Sequence, residues 1–205
     1  MNKPVIGIVG GIGSGKSFVA ERLVALGGHL IVADALGHEG LRQPEIKQTI
    51  RTRWGDVVSD SGEVDRRRLA KIVFADETER HALEAILYPY IGRRVDEEID
   101  KSHRDPAIGF VILDAAVLLE AGWRSRCDHI LFVDAPRRVR LERVKSRGWT
   151  DADLAAREAH QMPLAEKMAL ADAVLVNDGA MGTVVQRLGE ISSKWHLHVP
   201  DAPLE

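Results

Sequence analysis

The chain has 205 residues, a formal net charge of −3 and a single cysteine, with 45% hydrophobic and 29% charged residues. That length suits one α/β domain with room for an insertion and a sizeable core. The charge balance excludes a global attraction to nucleic acid, and Cys127 alone cannot form an internal disulfide, which fits a reducing compartment. The longest apolar run, Phe110 to Leu119, is interrupted by Asp114 and too short to span a membrane. The first residues lack the basic region, apolar core and cleavage site of a signal peptide, so a cytoplasmic location is expected.

In chain order, Pro4-Val5-Ile6-Gly7-Ile8-Val9 reads as a strand and Phe18 to Val24 as a helix. Between them lies Gly10-Gly11-Ile12-Gly13-Ser14-Gly15-Lys16-Ser17, a G-x-x-x-x-G-K-S loop in the strand–turn–helix setting that makes it a phosphate loop. Glycines let backbone N–H groups approach phosphate oxygens and permit positive φ. The helix start behind them adds unpaired N–H groups and a positive dipole end. Lys16 would reach the β- and γ-phosphates, and the Ser17 hydroxyl would contact Mg²⁺.

Gly27-Gly28 closes the first helix and His29 to Val32 reads as a second short strand. Asp34 lies just past its carboxyl end, the sheet edge where ligands bind in open parallel sheets. From 35 to about 105 the strand signal disappears. Pro44 opens a helix that Gly55 stops, Asp65 caps one running to Phe74, and a longer helix starts near Asp76. That helix carries Leu83, Ile86, Leu87, Ile91 and Val95 on one stripe, with Pro89 expected to kink it.

Strand signals return at Phe110–Leu113 and Ile130–Val133. Asp134 and Pro136 suit the start of a basic helix through about Arg147. Thr150-Asp151-Ala152-Asp153 resembles a capping box, Pro163 separates two short helices, and Val174–Val176 is a last strand before a helix near Thr183 to Trp195. Val199 to Pro203 reads as frayed and Leu204-Glu205 as an appended remnant.

Strands alternating with helices imply a parallel sheet with right-handed crossovers. The expected fold is α/β: a three-layer P-loop NTPase core (1–34, 106–147 and 170–199) with an inserted helical substrate-binding subdomain (35–105) and a helical lid (148–169).

A phosphate loop establishes only that a nucleoside triphosphate is held. The guanine-reading N-K-x-D pattern is absent, which disfavours a GTPase. A kinase acting on an alcohol needs a group that orients the hydroxyl and accepts its proton, and Asp34 is placed for that; the simpler reading has it cap a helix beginning at Ala35. Asp114 and Asp134 each end an apolar strand and are alternative supports for Mg²⁺. Arg143 and Arg147, four apart in the basic stretch, share a helix face and would neutralise phosphate charge, with the following segment closing as a lid. Eight histidines without metal-binding spacing argue against zinc, and Trp54, Trp123, Trp149 and Trp195 read as packing residues.

The order of motifs from about residue 5 to 190 resembles the dephospho-coenzyme A kinase family. The resemblance rests on Gly10 to Ser17, Ala33-Asp34, Asp65-Arg66 with Leu69 and Phe74, Leu83-Glu84 and Pro89, and Leu118-Leu119-Glu120. It extends through Arg157, Gln161, Glu166-Lys167, Ala171-Asp172 and Asn177-Asp178-Gly179. It implies transfer of the ATP γ-phosphate, with Mg²⁺, to the ribose 3′-hydroxyl of dephospho-coenzyme A.

By the same resemblance Asp34 is the base, Lys16 and Arg143 act with it, and the ATP contacts are Gly11, Ile12, Gly13, Ser14, Gly15, Lys16, Ser17, Phe18 and Arg147. Asp65, Arg66, Leu118 and Glu120 lie on the coenzyme side, and Ser17 is the metal ligand. The sequence departs from the family pattern at Val32 (usually Asp), Phe18 (Thr), Tyr88 (His) and Ala116 (Pro). Three of these touch the acceptor side, so a related kinase for another nucleoside or small alcohol is the second reading, and a nucleotide-binding module without transfer activity the third. No nucleic-acid or membrane partner is expected, and the chain is expected to be a monomer or weak homo-oligomer.

Overall fold

The computed structural model describes residues 3–179 and 181–198. It divides into two compact units, Met1–Val32 with Glu98–Glu205 and Ala33–Glu97. The expectations for residues 199–205 lie outside the described residues.

The first unit is built on a five-stranded parallel sheet: β1 (Val5–Gly10), β2 (Gly28–Val32), β3 (Phe110–Asp114), β4 (His129–Asp134) and β5 (Ala173–Val176), in the order β2-β3-β1-β4-β5. Its central strands are near-continuous apolar runs because both faces are covered. On one face Ile6, Ile8, Phe110, Ile112, Leu131 and Val133 pack under α1 (Lys16–Ala25) and the helix that closes the described chain, here α9 (Met181–Lys194). On the other, Gly7 leaves no room for a side chain: a Cβ there would lie 2.7 Å from Ile130 and 2.9 Å from both Cys127 Sγ and Leu118. Each fully buried Leu, Ile or Phe contributes roughly 1.5–3 kcal/mol. Cys127 is buried, and desolvation pushes its thiol up to about 12.

The second unit is helical, with α2 (Ala33–Gly40), α3 (Pro44–Trp54), α4 (Arg66–Ala75) and the first part of α5 (Glu77–Arg104). Its own small core joins Ile46, Ile50, Val57, Val58, Leu69 and Val73 to Leu83, Ile86, Leu87 and Tyr90. The Tyr90 hydroxyl donates to Glu39 at 2.6 Å and accepts from Gln43 at 3.2 Å, and Arg94 pairs with Glu39, so α2, α3 and α5 share one polar knot. Asp65 caps α4, accepting from the Arg67 and Arg68 amides at 3.0 and 3.1 Å, and Asp76 does the same for α5 through Thr78 and Glu79. Pro89 lies inside α5 without ending it.

The first unit also contains α6 (Arg137–Lys145), α7 (Asp151–Glu158) and α8 (Leu164–Ala169). Three local expectations shift. Asp134 is the last residue of β4, where its carbonyl accepts from Asn177, and Pro136 stands at the cap of α6 instead. α6 stops at Lys145 because the Arg147 and Gly148 amides turn back onto Val144 and Lys145, with Gly148 at φ 76°. α2 begins at Ala33, so Asp34 stands in its first turn and does not cap it. The capping box at Thr150 is present, with Asp153 returning the bond.

Candidate active site

The phosphate loop runs directly from β1 into α1, with Gly10, Gly13 and Gly15 at φ 148°, 77° and 93°. Among the described residues, the amides of Ile12, Gly13 and Gly15 donate to no protein acceptor. Their opposite ends are held. Arg143 donates to the carbonyls of Gly13 (3.3 Å) and Ser14 (2.8 Å), and Asn177 Nδ2 donates to Ser14 O at 2.8 Å. Arg143 and Asn177 are themselves joined through both the side-chain and the main-chain oxygen of Asn177, each at 3.1 Å. A trans peptide points its C=O and N–H in opposite directions. Gripping Ser14 O therefore aims the Gly15 amide the other way.

The packing is close enough to demand glycine. A Cβ on Gly13 would fall 2.7 Å from the Arg140 carbonyl oxygen, and one on Gly15 would collide with Asn177 Nδ2. Lys16 Nζ donates to the Gly10 and Gly11 carbonyls at 3.0 and 3.2 Å, so its ammonium lies over the loop. Ser14 Oγ is buried without a hydrogen-bond partner. Ser17 is exposed in the first turn of α1, and half-buried Phe18 packs against the sheet core with Arg22 over its ring. Arg147 and Arg157 flank the half-buried Trp149 ring, 5.9 and 4.0 Å from its centre.

No group of three or more His, Cys, Asp or Glu able to hold a metal occurs among the described residues. Magnesium retains several waters and is held by one or two protein oxygens together with substrate phosphates. The exposed Ser17 hydroxyl and the strand-end carboxylates Asp114 and Asp134 are donors of that kind, so the residues present fit the ion.

Also in the first unit, Leu118 is fully buried beside Gly7, while Glu120 pairs with the buried Lys167 at 2.9 Å and accepts from the Met162 amide at 2.9 Å. In the second unit, Asp34 is exposed and its carboxylate engages no group among the described residues. Asp65 is held below the ordinary carboxylate range, first by the Arg68 amide that it caps. Arg66 lines a cavity of about 180 Å³ with His38, Leu41, Arg42, Glu63 and Val64.

The sequence alone assigns no role to Asn177 and places Arg140 only within the basic stretch. The available signal was position: Asn177 follows the last strand, at the sheet edge where the loop begins.

A model of the dephospho-CoA kinase family matches residues 4–182. The chain belongs to that family. It is 34% identical over 195 residues to the dephospho-CoA kinase of Carboxydothermus hydrogenoformans, covering 94% of each chain. A crystal structure of a Thermus thermophilus protein superposes with a TM-score of 0.82 at 34% identity, over 95% of this chain and 98% of that one. Shikimate kinase from Acinetobacter baumannii shares the fold alone, with a TM-score of 0.52 at 14% identity over 96% of both chains. The dephospho-CoA kinase family carries out ATP-dependent phosphorylation of dephospho-CoA in coenzyme A biosynthesis. The three-layer P-loop kinase architecture read from the sequence is the observed one.

Proposed function

We propose that this chain carries out its family's reaction by in-line transfer of the ATP γ-phosphate to the ribose 3′-hydroxyl of dephospho-CoA, with Asp34 as the base. The observation that carries the reading is the loop itself: amides at Ile12, Gly13 and Gly15 without protein acceptors, in a chain matched by the kinase family over residues 4–182. Those amides would take up phosphate oxygens, and Lys16 would exchange the loop carbonyls for the β- and γ-phosphates. The bond from the 3′-oxygen to phosphorus forms as the bond from phosphorus to the β,γ-bridging oxygen breaks. The hydroxyl proton passes to Asp34 and ADP departs.

Asp34 is supported by its place two residues after β2, by its exposure and by its unengaged carboxylate. Ser17 would hold magnesium, with Asp114 or Asp134 in support, and the ion would supply positive charge against the phosphate oxygens. Arg143 would act chiefly by fixing the loop, and Arg147 would contribute charge on the ATP side. Asp65 and Arg66 would lie on the coenzyme side, and Glu120 with Leu118 beneath it would form part of the acceptor wall. We further propose a core of 1–34, 106–147 and 170–199, a substrate subdomain of 35–105 and a lid of 148–169. Among the described residues no helix is long and apolar enough to cross a membrane. A cytoplasmic enzyme is proposed, supported by the single cysteine that cannot form an internal disulfide, and the net charge of −3 supports the absence of a nucleic-acid partner; a monomer or weak homo-oligomer is proposed with it.

The test is coupled ADP release from ATP and Mg²⁺ with dephospho-CoA, adenosine, shikimate and other small alcohols offered separately. Release that depends on dephospho-CoA is expected. Release with another alcohol only, or with none, would overturn the assignment.

A further inference from the structure

The Ser14 carbonyl is held by Arg143 and Asn177, and the Ile12 carbonyl is held by Arg140. Arg140, in the middle of α6, is only 5% exposed. Its Nε donates to Ala135 O at 3.1 Å, and one terminal nitrogen donates to Ile12 O at 3.3 Å and to the Glu158 carboxylate. The loop lies directly on this side chain, since a Cβ on Gly11 would stand 2.9 Å from the same nitrogen. Glu158 is the last residue of α7, and its second oxygen accepts from Arg137 at 3.2 Å. Arg137 also reaches Asp151, the first residue of α7, at 2.7 Å. Both ends of α7 are thereby fastened to α6, but only the Arg140 branch continues to the phosphate loop.

We infer that the Arg140–Glu158 pair is a positioning device for the ATP site, aiming the Gly13 amide through the Ile12 carbonyl and making that aim depend on where α7 sits. The reasoning is the planarity of the Ile12–Gly13 peptide. A donor holding Ile12 O from one side directs Gly13 N–H to the other, and Gly13 N–H is one of the loop amides without a protein acceptor. A buried guanidinium keeps such a position only while its charge is compensated. Glu158 supplies the compensation from a different helix. When α7 moves away, Arg140 loses its counter-charge and the Ile12 carbonyl loses its side-chain anchor. α7 falls in the segment proposed above as a lid, so its docking would report to the phosphate cradle without touching nucleotide. Arg140 and Glu158 are positioning residues and need not contact ATP.

The test measures the Kd of a fluorescent ATP analogue without acceptor, so that it stands whether or not dephospho-CoA is the acceptor. KM for ATP, KM for dephospho-CoA and the melting temperature are measured alongside. Glu158→Gln keeps an acceptor but removes the charge and should weaken nucleotide binding by about fivefold, and Glu158→Leu by about tenfold or more. KM for dephospho-CoA at saturating ATP should stay within about twofold in both. Arg137→Ala, which cuts the exposed branch alone, should leave nucleotide Kd within about twofold. Arg140→Met combined with Glu158→Leu should weaken binding no further than Glu158→Leu does, because the two act as one unit. If Glu158→Leu does not fold, Glu158→Gln decides. Unchanged nucleotide Kd in folded Glu158→Gln, or equal losses in Arg137→Ala and Glu158→Gln, would overturn the inference by reducing the pair to a fastening between two helices. Failure of the acceptor assignment would instead appear as the expected Kd changes with no transfer to dephospho-CoA.

Discussion

The phosphate loop and the helical unit Ala33–Glu97 handle polar groups in opposite ways. Around the loop, buried or half-buried Arg140, Arg143 and Asn177 direct their donors at main-chain carbonyls, leaving loop amides unpaired. In the helical unit most ion pairs are exposed, as in Lys47–Glu63 and Arg80–Glu77, and Asp34 stands at the surface unengaged. One region binds with backbone fixed from behind by side chains, and the other presents side chains directly. On the proposed reading, a triphosphate would meet a cradle whose glycines are fixed by close packing, while acceptor choice would rest with exposed groups of the helical unit.

That contrast is broken most severely at the point of chemistry. Asp34→Asn should lower kcat by about 10²–10⁴ while leaving the Kd of the ATP analogue unchanged, the scale of a positioned base. Equal turnover in rapid-mix assays would reduce Asp34 to a helix residue. Lys16→Ala should lower kcat/KM for ATP by about 10²–10³, as for removal of one donor to developing charge, and steady-state kinetics in both substrates checks it. Leu118→Ala should cost about 3 kcal/mol of stability by urea unfolding; if it instead raised KM for dephospho-CoA at undiminished stability, Leu118 would be a contact and not a support.

Asn177→Ala sharpens the comparison from the loop side. It should raise KM for ATP about tenfold, the effect of losing a hydrogen bond that fixes one carbonyl, with KM for dephospho-CoA little changed. The smallest effect is expected at Asp65→Ala, a modest drop in melting temperature through loss of the α4 cap. Asp65's folded pKa lies below the ordinary value because the Arg68 amide favours its charged form. Its contribution is therefore complete above the ordinary Asp pKa of about 3.9 and fades as pH falls through the lowered folded value. Melting curves of the two proteins should converge in that acid range.

The five strands were readable because each is an apolar run bounded by glycine, proline or aspartate, and the loop because its eight residues carry their own conformational demands. Asp65, Asp76 and Thr150 announced helix starts through local hydrogen bonds that need no tertiary knowledge. Asp34 was harder: helix α2 starts directly from β2, and no turn signal marks where one ends and the other begins. The grip of Arg140, Arg143 and Asn177 on the loop was legible only in the position of Asn177 after the last strand. It joins residues more than 120 positions apart, through carbonyls that every residue possesses, so no residue type betrays the partner. Leu118-Leu119-Glu120 was readable as a family motif, yet only packing shows Leu118 buried beside Gly7 and Glu120 turned toward Lys167.

The buried sulfur behind β1 has a practical corollary. Burial pushes the Cys127 thiol up to about 12, and maleimides require the thiolate, so the native sulfur should react slowly at neutral pH. A cysteine introduced on the exposed face of α7 or at Ala35 can accordingly take a fluorophore or spin label selectively, with the native thiol left in place. The chain is thus already suited to distance measurements that follow its segments through a catalytic cycle.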